Sequence, residues 1–418
     1  MISRLKNTYH EFPSLFWIIV VVRFVDGIGS TLLFPFFALY ITQKFNVGMT
    51  EAGILLGMSS LFGLIGSMGG GALTDRFGRR QLILFGLAFS ALSSISMGLV
   101  TKIGVMYPLV MFVGLLSNIA YPAHEAMIAD ILPDAKRQEG FGILRVVGNL
   151  AWIVGPTIGG LVANINFFYL FVIDSVISCV LAAVLFRVLP ETKPAGQPHE
   201  RSESFLQTLI GYRHVMRDRA FMAFILASIV MLIVYQQMYG TLSVYLRDVH
   251  GINPQGYGYL MSTSAITVVL LQFTVSRIIK RRPPFLMMAL GTVFYMLGFS
   301  LIGVVTTFIL FVLCMIIITV GEMIVVPTSQ VLVAGFAPVA MRGRYMAVSG
   351  LSWAIPSTIG PGAAGYILDN YHPSLLWFLG GALCGISVVG YYLLHLRLGA
   401  EGRFTPRTEE AAVPAVSD

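Results

Sequence analysis

Four acidic residues lie inside long apolar stretches of the chain, where a carboxyl group can bind and release a proton. Glu322 and Asp174 have no basic residue near them in the sequence, Asp26 follows Arg23 by three residues, and Glu125 lies towards one end of its stretch. An Asp at the centre of a membrane helix costs about 2.5–3.5 kcal/mol, so each acid is a candidate for function. We expect all four to serve proton coupling, with Glu322 and Asp26 leading. The alternatives are a structural Arg23–Asp26 ion pair and a permanently protonated packing role for Glu322.

Basic and aromatic side chains in the same stretches are suited to binding an organic solute. Arginines inside a membrane could bind an anion or a peptide carboxylate, whereas aromatic rings attract cations. Most aromatic residues of membrane proteins simply face lipid or the membrane interface, which is the alternative for each ring. The predicted substrate-binding residues are Arg23, Tyr235, Gln236, Tyr239, Arg145 and Trp353.

A dense cluster of charges separates two of the apolar stretches, in the segment Gly71-Ala-Leu-Thr-Asp-Arg-Phe-Gly-Arg-Arg80. Asp75 and Arg79 are one helical turn apart, and Asp75 is placed to meet the positive N-terminus of another helix. Arginines at this place could merely set the membrane topology. An acid works against that topology, so Asp75 favours a specific contact.

The elements that position these residues are membrane helices. Of the 418 residues, 56% are hydrophobic and 11% charged, whereas soluble proteins carry about 25% charged residues. Apolar stretches of roughly 20 residues or more recur along the chain, and they lack the alternation of membrane strands. We predict twelve spans, near 15–42, 50–73, 80–101, 105–129, 139–164, 167–188, 220–246, 256–278, 285–304, 307–334, 343–368 and 374–396.

The two halves of the chain repeat at an offset of 205 residues. Tyr40 matches Tyr245, Gly53 matches Gly258, and further glycines, prolines and one arginine match at the same offset. Six spans per half insert both halves in the same orientation, which is one known plan for transporters, with the substrate site between the repeats. The fold class is therefore an all-α integral membrane protein of two parallel six-helix repeats.

The domains follow from this repeat and from the distribution of charge. We predict a six-helix bundle over 1–188, a linker over 189–219 with one surface helix near Ser204–Val215, a second bundle over 220–396, and a tail over 397–418. Of the 27 Lys and Arg residues, only Lys44, Lys102 and Arg247 fall in outside loops. This asymmetry places both termini in the cytoplasm and argues against nucleic acid as the partner of a chain with net charge +7.

The motifs resemble the major facilitator superfamily over nearly the whole chain. The segment from Gly71 to Arg80 is similar to its signature between the second and third spans. Gly148, Gly155-Pro156 and Gly159-Gly160 resemble a motif of its drug/proton antiporter branch. Gly321-Glu322, with Pro327, Ala337-Pro338 and the run from Arg342 to Tyr345, resembles a bacterial multidrug subgroup of that branch.

The resemblance implies a charged latch at the cytoplasmic side, in which Asp75 meets the helix that begins near Arg342 and Arg79 pairs with Asp130. The predicted latch residues are Gly71, Asp75, Arg76, Gly78, Arg79, Asp130 and Arg342. In the second half Lys280 stands where Asp75 would, so the latch should exist once.

Two further features concern the helices themselves. A proline kinks a helix, and small residues allow close packing in membranes, so a kinked interface is expected at Gly155, Pro156, Gly159, Gly160, Gly360 and Pro361. Ordinary helix packing is the alternative. Many antiporters of the superfamily carry an arginine in the fourth span, which is absent from residues 107–123; Arg145 on the fifth span is the candidate substitute.

The leading hypothesis is a proton-coupled efflux transporter for amphipathic, drug-like compounds in the inner membrane, acting as a monomer by alternating access. The alternative on the same fold is a proton-coupled transporter of a polar metabolite, an anion or a peptide. A receptor or scaffold needs a larger soluble region than this chain offers. Walker-type loops, metal-ligand clusters and catalytic triads are missing from the sequence, so we predict no enzyme activity, no cofactor and no metal site.

Overall fold

A computed structural model describes residues 11–193, 212–280, 282–338 and 341–400, and within those ranges the regular elements are all helices. The N-terminal half contains α1 (Ser14–Leu33), α2 (Phe37–Phe45), α3 (Met49–Phe77), α4 (Arg79–Leu99), α5 (Ile103–Ser117), α6 (Tyr121–Ile131), α7 (Asp134–Ile165) and α8 (Phe167–Val188). The C-terminal half contains α9 (Arg219–Tyr235), α10 (Thr241–His250), α11 (Pro254–Ile279), α12 (Pro284–Ile302), α13 (Phe308–Phe336), α14 (Arg342–Asn370) and α15 (Ser374–Ala400).

Three of the predicted spans are broken by a 3-10 turn. The turn Phe34–Phe36 joins α1 to α2, Asn118–Ala120 joins α5 to α6, and Gln236–Met238 follows α9. Proline explains the first break, because Pro35 lies at the start of its turn and cannot donate a helical hydrogen bond. The linker prediction is only partly covered: residues 212–217 are helical, whereas 194–211 and the tail after 400 lie outside the described residues.

Eleven stretches of described helix are long and apolar enough to cross a membrane, with α1–α2 and α5–α6 each counted as one. This confirms a membrane protein of many helical spans. The predicted span over 343–368 corresponds to α14, which has 29 residues but is not apolar enough to be counted. It contains Arg342, Arg344 and many small residues, and it packs along α3 and α9 within the bundle.

Helix ends fall at two faces of the bundle. One face carries Arg79 and Asp134 at the starts of α4 and α7 and Phe77 at the end of α3; we call it the basic face, because it also carries most of the chain's Lys and Arg. The loops with Lys44 and Lys102 lie at the other end, which we call the opposite face.

The two halves contact each other closely towards the opposite face. Gly53 of α3 lies against the backbone of Pro361 in α14, so closely that a side chain would clash with its carbonyl oxygen. In the same way a Cβ atom on Gly258 of α11 would lie 2.7 Å from the carbonyl oxygen of Pro156 in α7. Each pair combines a glycine from one half with a proline from the other. The two glycines are 205 residues apart in the sequence, and so are the two prolines.

Two buried tyrosines, one in each half, form equivalent hydrogen bonds near the opposite face. The hydroxyl of Tyr40 donates to the Met97 carbonyl at 2.6 Å, and that of Tyr245 donates to the Ile302 carbonyl at 3.4 Å. Donor and acceptor are again shifted by 205 residues from one half to the other. Each bond ties the first helix pair of its half to the end of the third span.

The halves separate towards the basic face. Positions where a Cβ atom would meet nothing within 4 Å occur on the basic-face parts of α3, α7 and α14, at Gly69, Gly71, Gly142, Gly148, Gly343 and Gly350. Gly148 also lines a cavity that borders α7. The bundle is thus closed at the opposite face and parted towards the basic face.

Candidate functional site

Two cavities share one wall, and one of them is lined by both halves of the bundle. A volume of about 680 Å³ borders α1, α6 and α7, and another of about 450 Å³ borders α7, α11 and α13. Arg145 and Trp152 of α7 line both volumes. We call the two together the central cavity. It is large enough for a drug-sized molecule and combines apolar walls with a few polar groups, as small-molecule sites do.

Glu322 enters the central cavity from the middle of α13. It is half-buried and is the only charged residue of a helix that is otherwise strongly apolar. The phenols of Tyr235 and Tyr239 lie near its carboxyl group and interact with it electrostatically. These two hydroxyls are 2.9 Å apart. Among the described residues Glu322 has no ion-pair partner within 4 Å, and the Tyr235 hydroxyl is its hydrogen-bonding neighbour.

Aromatic rings form a continuous row across the central cavity. The rings of Phe34 and Trp152 are 6.4 Å apart, Trp152 and Tyr239 5.0 Å, Tyr239 and Tyr235 5.7 Å, and Tyr235 and Trp353 6.1 Å. The row crosses from α1 and α7 of one half to α9 and α14 of the other. A flat or cationic molecule between the halves would therefore meet ring faces and edges beside Glu322.

Asp26 and Arg23 lie on the other side of the central cavity, and the ion pair between them that was the structural alternative is not formed. Arg23 instead reaches Glu125 of α6 at 3.5 Å, and its guanidinium lies 5.9 Å from the ring centroid of Tyr121. Asp26 lines the cavity and has no ion pair or side-chain hydrogen bond within the described chain. The Arg23 side chain thus extends towards α6, which presents Glu125 at its level.

Arg145 bridges the halves from within the cavity. Its guanidinium donates to the side-chain oxygen of Gln330 on α13 at 3.1 Å. Glu125, Asp130 and Arg145 do not form a cluster, although α6 and α7 follow each other in the chain. Each of the three has a different partner, and Asp130 lies at the basic face.

Asp174 lies outside the central cavity, in a chamber lined by the N-terminal half and by Ser357 of α14. We call this volume of about 620 Å³ the serine chamber; nine serines line it with Asn118 and Asp174. Phe171, one turn before Asp174, packs against Tyr40 with ring centroids 4.6 Å apart and is not among the lining residues.

The charge cluster at the basic face brings together three of the predicted latch residues. The Nε atom of Arg79 lies 3.1 Å from the Asp130 carboxylate, and an Arg79 terminal nitrogen lies 3.7 Å from Asp75. Arg76 stacks over the ring of Phe77 at 5.4 Å. The predicted contact between Asp75 and α14 is absent: Asp75 is 68% exposed and does not touch the described start of α14 at Arg342.

The sequence motif at the basic face has a partner that sequence reasoning missed. Glu191, just after α8, accepts hydrogen bonds from the backbone N–H groups of Arg79 and Arg80 at 2.9 and 3.2 Å and so caps the start of α4. Gly78 precedes these groups with φ of +94° and ψ of 162°, a conformation that is essentially restricted to glycine. Its missing side chain also leaves room for the Glu191 carboxylate.

The glycines of the kink motif serve two different interfaces. Gly155 and Gly159 lie against Thr31 and Leu32 of α1, within one half. Gly160 faces the other half, where a Cβ atom would lie 3.1 Å from the Cα atom of Gly258. In α14, Gly360 lies beside the Gln237 side chain, and Pro361 lies against α3.

Of the predicted substrate-binding residues, the structure places Arg23, Arg145 and Tyr239 in the central cavity, whereas Tyr235 and Trp353 are next to it. Gln236 is half-buried in its 3-10 turn and is not among the lining residues. Trp152 was not among the predicted binding residues, although a tryptophan one helical turn before Gly155-Pro156 could have been recognised from the sequence. Gln330 and Gln272 were missed because amides give no comparable pattern.

Comparison with known proteins places this geometry among transporters. The family model described as "Major Facilitator Superfamily" matches residues 19–361. A "Na(+), Li(+), K(+)/H(+) antiporter" from Planococcus maritimus is 25% identical, over 82% of this chain and 87% of that protein. "Multidrug resistance protein MdtH" from Shigella dysenteriae is 23% identical, over 85% of this chain and 88% of that protein.

Solved structures share the fold at low identity. The nucleoside transporter NupG superposes with a TM-score of 0.79 at 14% identity, covering 91% of this chain and all of that chain. A POT family transporter bound to 5-aminolevulinic acid superposes with a TM-score of 0.77 at 16% identity, covering 92% and 96%. At such identities the likeness concerns the fold alone.

Proposed function

Because this chain belongs to the Major Facilitator Superfamily, we propose that it is a proton-coupled transporter that exports amphipathic, drug-like compounds by alternating access. The observation that carries this proposal is Glu322, an acid without an ion-pair partner beside a row of aromatic rings in a cavity between the halves. Two relatives carry names that fit it, one a cation/proton antiporter and one a multidrug resistance protein.

The proposed architecture has twelve spans in two parallel six-helix repeats, with α14 as the eleventh span. The matched glycine–proline contacts and the matched tyrosine hydrogen bonds support the repeat, since each recurs after 205 residues. The low hydropathy of α14 is compatible with a span, because it packs against α3 and α9. A helix surrounded by other helices can contain small and polar residues that would be unfavourable in contact with lipid.

The proposed orientation puts the basic face in the cytoplasm, in accordance with the excess of Lys and Arg there. Both termini then lie in the cytoplasm, the protein lies in the inner membrane, and we expect a monomer. The bundle is parted at the basic face, so this conformation would be open to the cytoplasm and ready to receive a solute from it.

The proposed coupling uses competition between proton and substrate at Glu322. A cationic or polarisable solute would bind between the Trp152 and Tyr239 rings, where the carboxylate of Glu322 attracts it. After the outer contacts open, a proton from outside would neutralise Glu322 and weaken that attraction. The solute would leave, and the proton would be released to the cytoplasm after the protein returns. Asp26 could bind the second exchangeable proton, because it too lines the cavity without an ion-pair partner.

The latch fits the other half of this cycle. With the basic face open, Asp75 is exposed and pairs only with Arg79. When that face closes, α3 and α14 would approach there, and Asp75 would meet the positive end of α14 near Arg342. Arg79 and Asp130 would stay paired in both states and hold the start of α4.

A polar solute on the same fold remains the second candidate, since one specific contact favours it. The Arg145 guanidinium is held in the central cavity by Gln330 alone among the described side chains. A guanidinium can bind a carboxylate through two hydrogen bonds. A substrate with a carboxylate would then displace Gln330 and tie the halves together through Arg145.

The decisive experiment uses purified protein in liposomes under an imposed pH gradient. We expect gradient-driven flux of cationic dyes, and in Glu322→Gln we expect weaker dye binding and no acceleration of the flux by the gradient. Glu139→Gln is the matched control, because Glu139 is a surface acid paired with Lys136 at the basic face. Full gradient dependence in Glu322→Gln would remove Glu322 from the mechanism. Flux of carboxylates but not dyes would replace the first candidate by the second.

A further inference from the structure

The serine chamber is a second polar site that the proposed transport through the central cavity does not use. It lies among α1, α3, α4, α5 and α8, borders α14 at Ser357, and opens towards the cavity at Ser30 and Phe34. At about 30 Å³ per water molecule its volume could hold on the order of 20 waters. Short hydroxyl side chains dominate the polar lining, and Asp174 is the only charged residue in it.

The carboxyl group of Asp174 has no countercharge among the described residues. Its side chain belongs to a residue only 8% exposed, and no ion pair involves it within the described ranges. One carboxylate oxygen lies against Gly29, 2.7 Å from where a Cβ atom would be. The other acidic group that acts on it is Asp26, whose charge would have the same sign. A buried carboxylate without a countercharge is costly, so a cation beside it would stabilise its charged form.

Ser94 is a second polar group without a proper partner. It is 1% exposed, and its Oγ atom forms no well-shaped hydrogen bond, although it faces the Asp174 carboxyl group closely enough to interact with it. A buried hydroxyl in that condition is rare in folded proteins. A hydroxyl oxygen and a carboxylate oxygen that face one space are ligands for the same ion.

The helices that carry these groups are fixed to each other by serines. Ser175 donates to the Ala91 carbonyl at 2.9 Å, and the Ser178 hydroxyl donates to that of Ser90 at 3.3 Å. These bonds lock α8 against α4 on the side of Asp174. The two oxygens are therefore held by a rigid frame, which limits the entropy lost when an ion binds.

From these contacts we propose that the serine chamber binds a monovalent alkali cation, with the Asp174 carboxylate and the Ser94 hydroxyl as direct ligands and water completing the shell. Hard cations take oxygen ligands. A single carboxylate balances one charge, whereas calcium sites in proteins gather several carboxylates. The polar lining of the chamber consists mainly of hydroxyls, whereas a site for an organic cation would need aromatic rings. The site is independent of the solute in the central cavity.

The test is cation-dependent stabilisation of the purified full-length protein at one fixed alkaline pH. Unfolding is followed on heating in sodium, lithium, potassium or N-methyl-D-glucamine chloride at equal ionic strength. We expect a saturable rise in melting temperature with at least one alkali ion and none with N-methyl-D-glucamine, because a ligand of the native state stabilises it. Asp174→Asn should abolish the rise, and Ser94→Ala should raise the half-saturating concentration about tenfold.

Ser96→Ala is the matched control, since Ser96 lies on the same helix and donates to the Leu92 carbonyl. It should keep the full response. Equal melting curves in all four salts, or an unchanged response in both Asp174→Asn and Ser94→Ala, would overturn the proposal. So would loss of the response in Asp26→Asn alone, which would move the ion to the central cavity. If Asp174→Asn does not fold, Ser94→Ala against Ser96→Ala decides.

Discussion

Asp369 closes the opposite face through a helix cap that crosses from one half to the other. Its carboxylate, at the end of α14, accepts hydrogen bonds from the backbone N–H groups of Met49 and Thr50 at 2.9 and 2.8 Å and from the Thr50 hydroxyl at 2.6 Å. These groups start α3 in the other half. Opening of the opposite face must break all three bonds, so Asp369→Ala should favour the outside-open state.

The expected size of this effect follows from the bonds and their exposure. A helix cap is worth about 0.5–2 kcal/mol, and a hydrogen bond to a charged group about 1.5–3 kcal/mol. Asp369 is exposed, so water replaces much of this energy. We take about 1–2 kcal/mol, which multiplies the ratio of outside-open to inside-open molecules roughly 5- to 30-fold.

The assay is the distance distribution between spin labels at the opposite face, measured by double electron–electron resonance. Lys102 and Thr307 are exposed, belong to different halves, and can be labelled after the three native cysteines are replaced. In Asp369→Ala the fraction with long distances should rise. The control is Asn253→Ala, because Asn253 caps α11 within its own half by accepting from the Gly256 N–H group at 2.9 Å.

An unchanged distribution in Asp369→Ala would refute the role of this cap in closure. An equal rise in Asn253→Ala would refute it as well, since loosened helix ends would then suffice without any bond between halves. Asp369→Asn, which keeps one acceptor oxygen but loses the charge, should fall between the wild type and Asp369→Ala.

Three further substitutions have defined outcomes. Gly78→Ala should lower the free energy of unfolding by about 1–3 kcal/mol, because the backbone conformation of Gly78 is strained for any other residue. Gly69→Ala should not lower it, because the space around Gly69 is open. Thermal unfolding in detergent compares the two variants. Trp152→Ala should weaken equilibrium binding of an aromatic cation about tenfold or less, and Trp152→Phe should restore most of it. Gly258→Val should clash with the Pro156 carbonyl and hold the opposite face open in the spin-label assay; a normal distribution would show that this approach is dispensable.

Much of the fold could be predicted from the sequence because lipid acts on each segment separately. A helix that crosses a membrane must satisfy its backbone internally and present apolar side chains, so length and composition identify it. The same logic singled out Glu322, since an acid there conflicts with its own helix. It also predicted a span over 343–368, where α14 lies, although the small and polar residues of α14 keep it out of the helices that are apolar enough to be counted. It did not predict the breaks at Phe34–Phe36 and Asn118–Ala120.

The matches at an offset of 205 residues are visible in the sequence because both halves have the glycines and prolines that their contacts require. Gly53 and Gly258 are glycines since the backbone of a proline in the other half lies against each of them. Sequence matching found the positions, but not the partners. Only the packed bundle shows that Gly53 meets Pro361 and that Gly258 meets Pro156.

The sequence by itself determined the solvent and the helices and located the acids inside them, since these depend on the composition and spacing of single segments. Tertiary structure alone decided the partners: Glu125 for Arg23, Gln330 for Arg145, and the chamber around Asp174. The physical reason is that a partner on another helix depends on the rotation and depth of both helices. Those are set by the packing of the whole bundle, and no local pattern records them.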